Sequence, residues 1–472
     1  MHEEPDNGSM AMGTRKQRER QEGLWIATAE LPRSAGHWFY ERLNQLLEEA
    51  GFDGFVEERC RKFYAPTMGR PSLAPGMYFR LLLIGYFEGL DSERGMAWRA
   101  ADSLGLRRFL RIGLEEAPPD HSTISRTRRL LDVETHREVF AWVLGVLARK
   151  GLLQGKTLGI DATTLEANAA LRSIVRRDSG ESYQEFLTKL AQESGIETPT
   201  RDELVRLDRK RAKKGSNREW AHPHDPEARI TKMKDGRTHL AHKAEHAVDL
   251  ETGAVVAVTV QGADEGDTTT VKETFIEAAE QVEAVGEEPA ADAKMSARGL
   301  EEVVADKGYH SGAMVEDWRE IGVRSYIAEP QRGRRHWQGK QGEQAAVYGN
   351  RRRIRGERGK QLLRQRGELL ERTFAHVYDT GGMRRTHLRG HRNILKRLLL
   401  HVAAFNLSLV LRREVGNGTP RGLQDRWNRV FFCFWVLWMI LRSLCGRSAR
   451  PQATSADRFP MLPPLGQQLN AA

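Results

Sequence analysis

Three acidic side chains, Asp161, Asp306 and Glu371, stand in settings where a carboxylate can do chemistry. Asp161 follows the apolar run Leu158-Gly159-Ile160 and precedes Ala162-Thr163-Thr164, and Asp306 follows Val303-Val304-Ala305 in the same manner. Each sits where a short β-type run emerges into solvent, and the ends of central strands are where α/β folds often build their sites. Glu371 lies in the segment Gly367 to Phe374 (GELLERTF), whose Leu369, Leu370 and Phe374 can pack a helix beside a sheet. Carboxylates brought together repel one another, and a hard cation relieves that repulsion. Two Asp and one Glu can hold two magnesium ions, which activate a water or a 3′-hydroxyl on one side of a phosphodiester and stabilise the leaving oxygen on the other. Each residue also has an ordinary alternative. An Asp after a strand serves as a cap or turn residue, Glu371 can pair with Arg372 on the surface, and Glu368 competes for the third position.

The elements that must position this trio are read from the pattern around it. Residues 1–22 are polar and mixed in charge, which predicts a disordered tail without the apolar stretch of a signal peptide. From Gly36 to Gly151 the chain reads as all-helical. A turn at Gly69-Arg70-Pro71-Ser72 precedes the apolar Met77 to Phe87, and Pro118-Pro119 stops one element before Ser122 caps a helix through Arg126, Leu130 and Val143. Arg126, Arg128 and Arg129 give that helix a basic face.

From 156 the pattern becomes mixed α/β, with a strand at Thr157 to Asp161, a charged helical insertion over about 171–235, and a hairpin of Thr238 to Asp249 with Ala254 to Val260. A helix (268–285), a strand (303–305), a helix (313–321), a strand (323–328), a long basic loop and two helices (367–378 and 392–413) complete a domain over 156–412. Residues 413–472 read as a poorly structured tail. Its apolar run Val430 to Leu441 has twelve residues, against the roughly 20 a membrane span needs.

Composition narrows the class. At 472 residues two or three structural units are expected, and the net charge of +10 with 74 Lys plus Arg points to a polyanion partner. Cys60, Cys433 and Cys445 form no metal-binding set, which fits a reducing, cytoplasmic setting. His121, His242 and His310 match no paired-ligand spacing and read as capping or surface residues. Between Ala328 and Arg366 stand twelve Lys or Arg, including Arg351, Arg352, Arg353 and Arg355, against three Glu, with Trp337 and Tyr348 among them. Such a block predicts salt-dependent phosphate binding with aromatic rings available for stacking on a base.

Several strings resemble bacterial insertion-sequence transposases with a DDE catalytic core. Gly159-Ile160-Asp161-Ala162-Thr163 resembles the first-aspartate motif, and Val304-Ala305-Asp306-Lys307-Gly308-Tyr309 with Ser311 the second. Glu371-Arg372-Thr373-Phe374 resembles the glutamate motif, followed by Gly381-Gly382-Met383-Arg384-Arg385, Arg389-Gly390, Asn393, Lys396 and Phe405-Asn406-Leu407. Gly69-Arg70-Pro71 through Pro119-Asp120-His121-Ser122-Thr123 resembles the helical domain that precedes such cores. The resemblance covers about residues 36–412. It implies an RNase H-like fold, with the first Asp on the first strand, the second after the fourth and the Glu on a later helix.

It further implies Mg2+ as cofactor (two ions, with Mn2+ able to substitute), transposon ends and target DNA as partners, and a homodimer on DNA. Glu371 is favoured over Glu368 because the family places Phe three positions after its glutamate. One departure is that Gly367 and Tyr378 stand where many relatives have Arg and Lys; nearby Arg364, Arg366, Arg372, Arg384 and Arg385 can supply the phosphate contacts, and Lys396 is a further DNA-binding candidate. A nuclease without strand transfer, or a DNA-binding remnant of a transposon, are the alternatives that the sequence leaves open.

Overall fold

The computed structural model describes residues 33–65, 72–211, 215–233, 236–287, 295–331, 333 and 335–426. The tail at 1–22, the Gly69-Arg70-Pro71 turn, and the apolar run 430–441 lie outside the described residues.

Seven helices come first: α1 (Ala35–Glu49), α2 (Phe52–Cys60), α3 (Pro75–Glu88), α4 (Glu93–Asp102), α5 (Leu104–Phe109), α6 (His121–Leu130) and α7 (Val133–Arg149). Proline in the first turn of α3 and a left-handed Gly89 (φ 67°) after it start and stop that helix. The single helix expected through Val143 is two. Asp120, not Ser122, caps α6 by accepting from the Ser122 amide, and Asp132 caps α7 in the same way at Thr135. Arg126 and Arg129 are exposed, whereas Arg128 is buried, pairing with Glu93 (2.7 Å) and donating to Asn393 (2.7 Å).

The sheet begins with β1 (Thr157–Glu166) and continues with β4 (Arg229–Lys232), β5 (Thr238–Asp249), β6 (Val255–Gly262), β7 (Glu302–Ala305) and β8 (Arg324–Ile327); two-residue strands β2 (Val175–Arg176) and β3 (Trp220–Ala221) pair apart from it. β1 runs five residues beyond Asp161, so this carboxylate stands in mid-strand rather than at a strand end. β5 pairs antiparallel with β1, β7 runs parallel to β1, and β8 parallel to β7. The path β6-β5-β1-β7-β8 therefore puts β1 at the centre, with β4 sharing the outer edge of β5.

Helices cover the sheet and its edges: α10 (Asp267–Gly286), α11 (Gly312–Glu320), α12 (Gln341–Arg355), α13 (Glu357–Phe374) and α14 (His391–Val415). The basic stretch expected as a loop is thus mostly helix, in α12 and α13. Both outer strands are closed by a buried asparagine on a helix. Asn406 of α14 accepts from the Val255 amide (2.9 Å) and donates to its carbonyl (2.8 Å); Asn350 of α12 does the same at Ile327 (3.0 and 2.8 Å). Each amide completes edge bonding that would otherwise recruit another strand.

The insertion between β1 and β5 carries α8 (Tyr183–Glu193) and α9 (Arg201–Lys210), each opened by a capping box, together with β2, β3 and β4, so it is not purely helical. It has small apolar clusters of its own around Trp220 and Leu204. Ser34–Gln424 forms one compact unit, and a single core runs from α1 through the sheet to α14. By length and composition α14 and the residues after it, to Arg426, suffice to cross a membrane, but 94% of the apolar window is buried inside the protein, so its side chains are core.

Candidate active site

Register places the two aspartates. Gly159 of β1 pairs with Val304 of β7, and Asp161 and Asp306 each follow by two residues, just past the end of the parallel pairing between the two strands. Asp306 caps the turn Lys307–Tyr309, accepting from the Gly308 amide at 2.7 Å. Asp161 accepts from the Ala162 amide at 2.9 Å, and its Oδ2 meets the Arg366 guanidinium at 2.7 Å. Burial pushes the Asp161 carboxyl up to about 6; Arg366 opposes this, while Asp306 and Asp267 push it further up.

Gly159 lets α13 approach. A β-carbon there would stand 3.2 Å from both Arg366 Cγ and Leu370 Cδ1, and 2.6 Å from Leu250. Leu370 marks the sheet-facing line of α13, and at about 100° per residue Glu371 lies about 100° round from it, while Glu368 lies about 160° round in the same sense and so points further from the sheet. Gln365, Leu369 and Arg372 touch Leu250 and Gly253, at the turn beyond the start of β1. The opposite flank, with Gly367, Glu371 and Phe374, therefore looks toward the end of β1 that carries Asp161. Phe374 packs on His246, the residue paired with Asp161 across β5, at 5.1 Å between rings.

Glu371 itself is exposed, and among the described residues no three carboxylate, imidazole or thiol groups are drawn together closely enough to hold a metal ion. Asp161 and Asp306 are brought together; Glu371 flanks them without joining. The all-oxygen donor set fits a hard divalent cation, and the charge now facing Asp161 is that of Arg366, 12% exposed.

The basic candidates divide by environment. Arg352 and Arg355 are exposed on α12, along a groove also lined by Arg319, Tyr348, Arg351 and Arg353. Arg351 is paired with Glu329 (2.8 Å), and Arg353 donates to the Ser325 carbonyl (2.9 Å) and packs over Tyr326. Arg384 bonds Thr163, two residues beyond Asp161, at 3.1 Å and pairs with Asp379 at 2.8 Å, whereas Arg385 is exposed, 3.7 Å from Glu166. Arg372 lies on the flank of α13 beside Gly253.

Lys396 requires correction as a phosphate-binding residue: it is 5% exposed and donates to the carbonyls of Arg128 and Leu131 (3.0 and 2.7 Å), tying α14 to the end of α6. Tyr378 is likewise buried, in a π-helical turn (375–380), bonded to His246 at 2.5 Å. Burial holds His246 down at about 3, so it is neutral. His242 and His310 are also fully buried rather than on the surface, His242 against Asp225 at 3.1 Å.

Sequence reasoning passed over Arg366 as a partner of Asp161, and over the charged residues Lys243 and Glu245. A signal existed for these two, since they stand on one face of a strand whose neighbours are apolar, where unpaired charge is costly.

Residues 28–130 match the family described as Transposase domain (DUF772), and residues 199–407 match the family described as Transposase DDE domain. The second match contains Asp306 and Glu371 and begins after Asp161. No curated protein and no solved structure matches the chain. DDE transposase domains act on DNA, generally depend on a divalent metal and imply an RNase H-like fold, with which the central β1, the carboxylate after β7 and the later α13 agree. With a transposase domain followed by a DDE domain along its length, the chain belongs to the insertion-sequence transposases with a DDE catalytic core.

Proposed function

We propose that this transposase binds the terminal inverted repeats of its element and moves it by cut and paste, with Asp161, Asp306 and Glu371 as the catalytic trio. The observation that carries the reading is the side-by-side placement of Asp161 and Asp306 just past the end of the β1–β7 pairing. Two Mg2+ ions, or Mn2+ in their place, supply Lewis-acid stabilisation of the attacking and leaving oxygens when bound. Asp161 and Asp306 hold their carboxylates at fixed sheet positions, and Glu371 approaches from α13 on the flank that Gly367 leaves open, with nothing within 4 Å of a β-carbon there. Arg366 neutralises Asp161 until a cation takes its place. Arg384, beside Thr163, and Arg385 lie where the DNA backbone would pass the site, and Arg352 and Arg355 extend the basic surface along α12. Two subunits pair two ends, so the active species is a homodimer on DNA.

Pre-cleaved terminal repeats incubated with a supercoiled plasmid and Mg2+ test this reading. Joined products are expected. Hydrolysis without joining would replace transposition by a nuclease activity of the same site.

A further inference from the structure

Behind the Asp306 turn lies a polar network to which the trio assigns no role. Lys243, on β5, is almost fully buried and donates to Asp267 Oδ1 (2.6 Å) and Thr270 (2.9 Å). Glu245, two residues on, is completely buried and accepts from Thr270 (3.0 Å), Thr274 (2.5 Å) and Tyr309 (2.8 Å). Tyr309 belongs to the turn that Asp306 caps, so Glu245 anchors that turn to β5 and α10.

Asp267, the first residue of α10, is placed differently. Its Oδ1 is held by Lys243, and its Oδ2 turns toward the catalytic turn. A β-carbon on Gly308 would stand 2.6 Å from Asp267 Oδ2 and 3.1 Å from Asp306 Oδ1. A side chain at 308 would push the two carboxylates apart, and glycine lets them approach. The negative charge of Asp267 is also felt at Asp161.

We infer that Asp267 is a positioning residue of the metal site: held by Lys243, it would hold in place the water of a cation bound by Asp161 and Asp306. A magnesium-like ion retains waters of its own, and a carboxylate just beyond the direct ligands fixes their orientation. Lys243 keeps the added negative charge tolerable beside two other aspartates.

The inference rests on the reading of Asp161 and Asp306 as metal ligands, and the test separates the two. Mn2+ binding to the full chain is followed by electron paramagnetic resonance for the wild type, Asp267→Asn and Asp161→Asn. Asp267→Asn is expected to weaken Mn2+ binding by about 10- to 100-fold in a chain that circular dichroism shows still folded at the assay temperature, and Asp267→Glu to recover part of that affinity. Wild-type affinity in Asp267→Asn, with binding abolished in Asp161→Asn, overturns the inference and leaves the trio standing; unchanged affinity in both overturns both. A second measurement needs no variant. Fe2+ loaded into the wild-type chain with ascorbate and peroxide cuts backbone near the metal, and cuts are expected at 265–268 as well as at 306–308. Cuts at 306–308 alone contradict a role for Asp267.

Discussion

β1 and β7 hold their carboxylates by hydrogen-bond register, whereas α13 presents Glu371 through a rotation about the helix axis. Sheet pairing fixes Asp161 and Asp306 beside each other whatever the surface does. The helix is secured by Arg366, Leu370 and Phe374 along one line, and Glu371 stands about 100° away from Leu370, exposed. The strand-borne carboxylates are thus set by folding, while the helix-borne one is exposed to what binds. The ion pair between Arg366 and Asp161 belongs to the same contrast: a cation on the helix answers the charge on the strand.

The sharpest way to break this comparison is at the strands. Asp161→Asn and Asp306→Asn should each reduce strand cleavage by about 100- to 1000-fold, with end binding retained in gel-shift assays, since each change removes charge and little volume. On the helix, Glu371→Gln should lower cleavage by about 10- to 100-fold, and Glu368→Gln, about 60° further round α13 from the sheet, should leave it within about twofold. Normal cleavage in Glu371→Gln with impaired cleavage in Glu368→Gln would move the third ligand.

Acid sharpens the comparison through Asp161 alone. Its carboxyl is raised by burial to about 6, so it is neutral below that pH and must lose a proton before it can hold a cation. Mn2+ affinity should therefore fall about tenfold per pH unit below about 6, measured by calorimetry from pH 8 to 5. A flat profile would mean that Asp161 is not the ligand. In the metal-free protein the sign is opposite to that of an ordinary paired carboxylate: ionising Asp161 is disfavoured by folding, so stability falls as pH rises from about 4 to about 6.

The smallest effects lie on α12. Arg352→Ala or Arg355→Ala should weaken DNA binding about threefold and reduce its salt slope by about 1 for each phosphate no longer neutralised. Arg353→Ala, whose guanidinium is occupied with Ser325 and Tyr326, should instead lower the melting temperature. An unchanged salt slope in the first two would remove this groove from the DNA path.

Much of the strand order was legible because short apolar, β-branched runs at 157–160, 254–260 and 303–305 are local signals. Asp306 was legible for the same reason, since an aspartate directly after a four-residue strand caps the next turn. The length of β1 was not, because Asp161 to Glu166 (DATTLE) carry no sustained apolar run or alternation and owe their strand conformation to pairing with β5. The α12 helix was hidden by its arginine and glycine positions, and its stability comes from Asn350 and Val347 packing inward. Lys396 misled because a basic residue in a basic region says nothing of direction; only the fold shows it bonded to two carbonyls. Arg366 could not be assigned to Asp161, because the two residues are far apart in the chain and meet only once the helix docks on the sheet.

Crystals of the protein with a terminal-repeat DNA and Mn2+, measured for anomalous scattering, test the catalytic assignment most directly. Manganese is expected between Asp161 and Asp306, with Arg366 displaced and Glu371 turned in from α13. Manganese held elsewhere, or Arg366 still paired with Asp161 in the DNA complex, would contradict it.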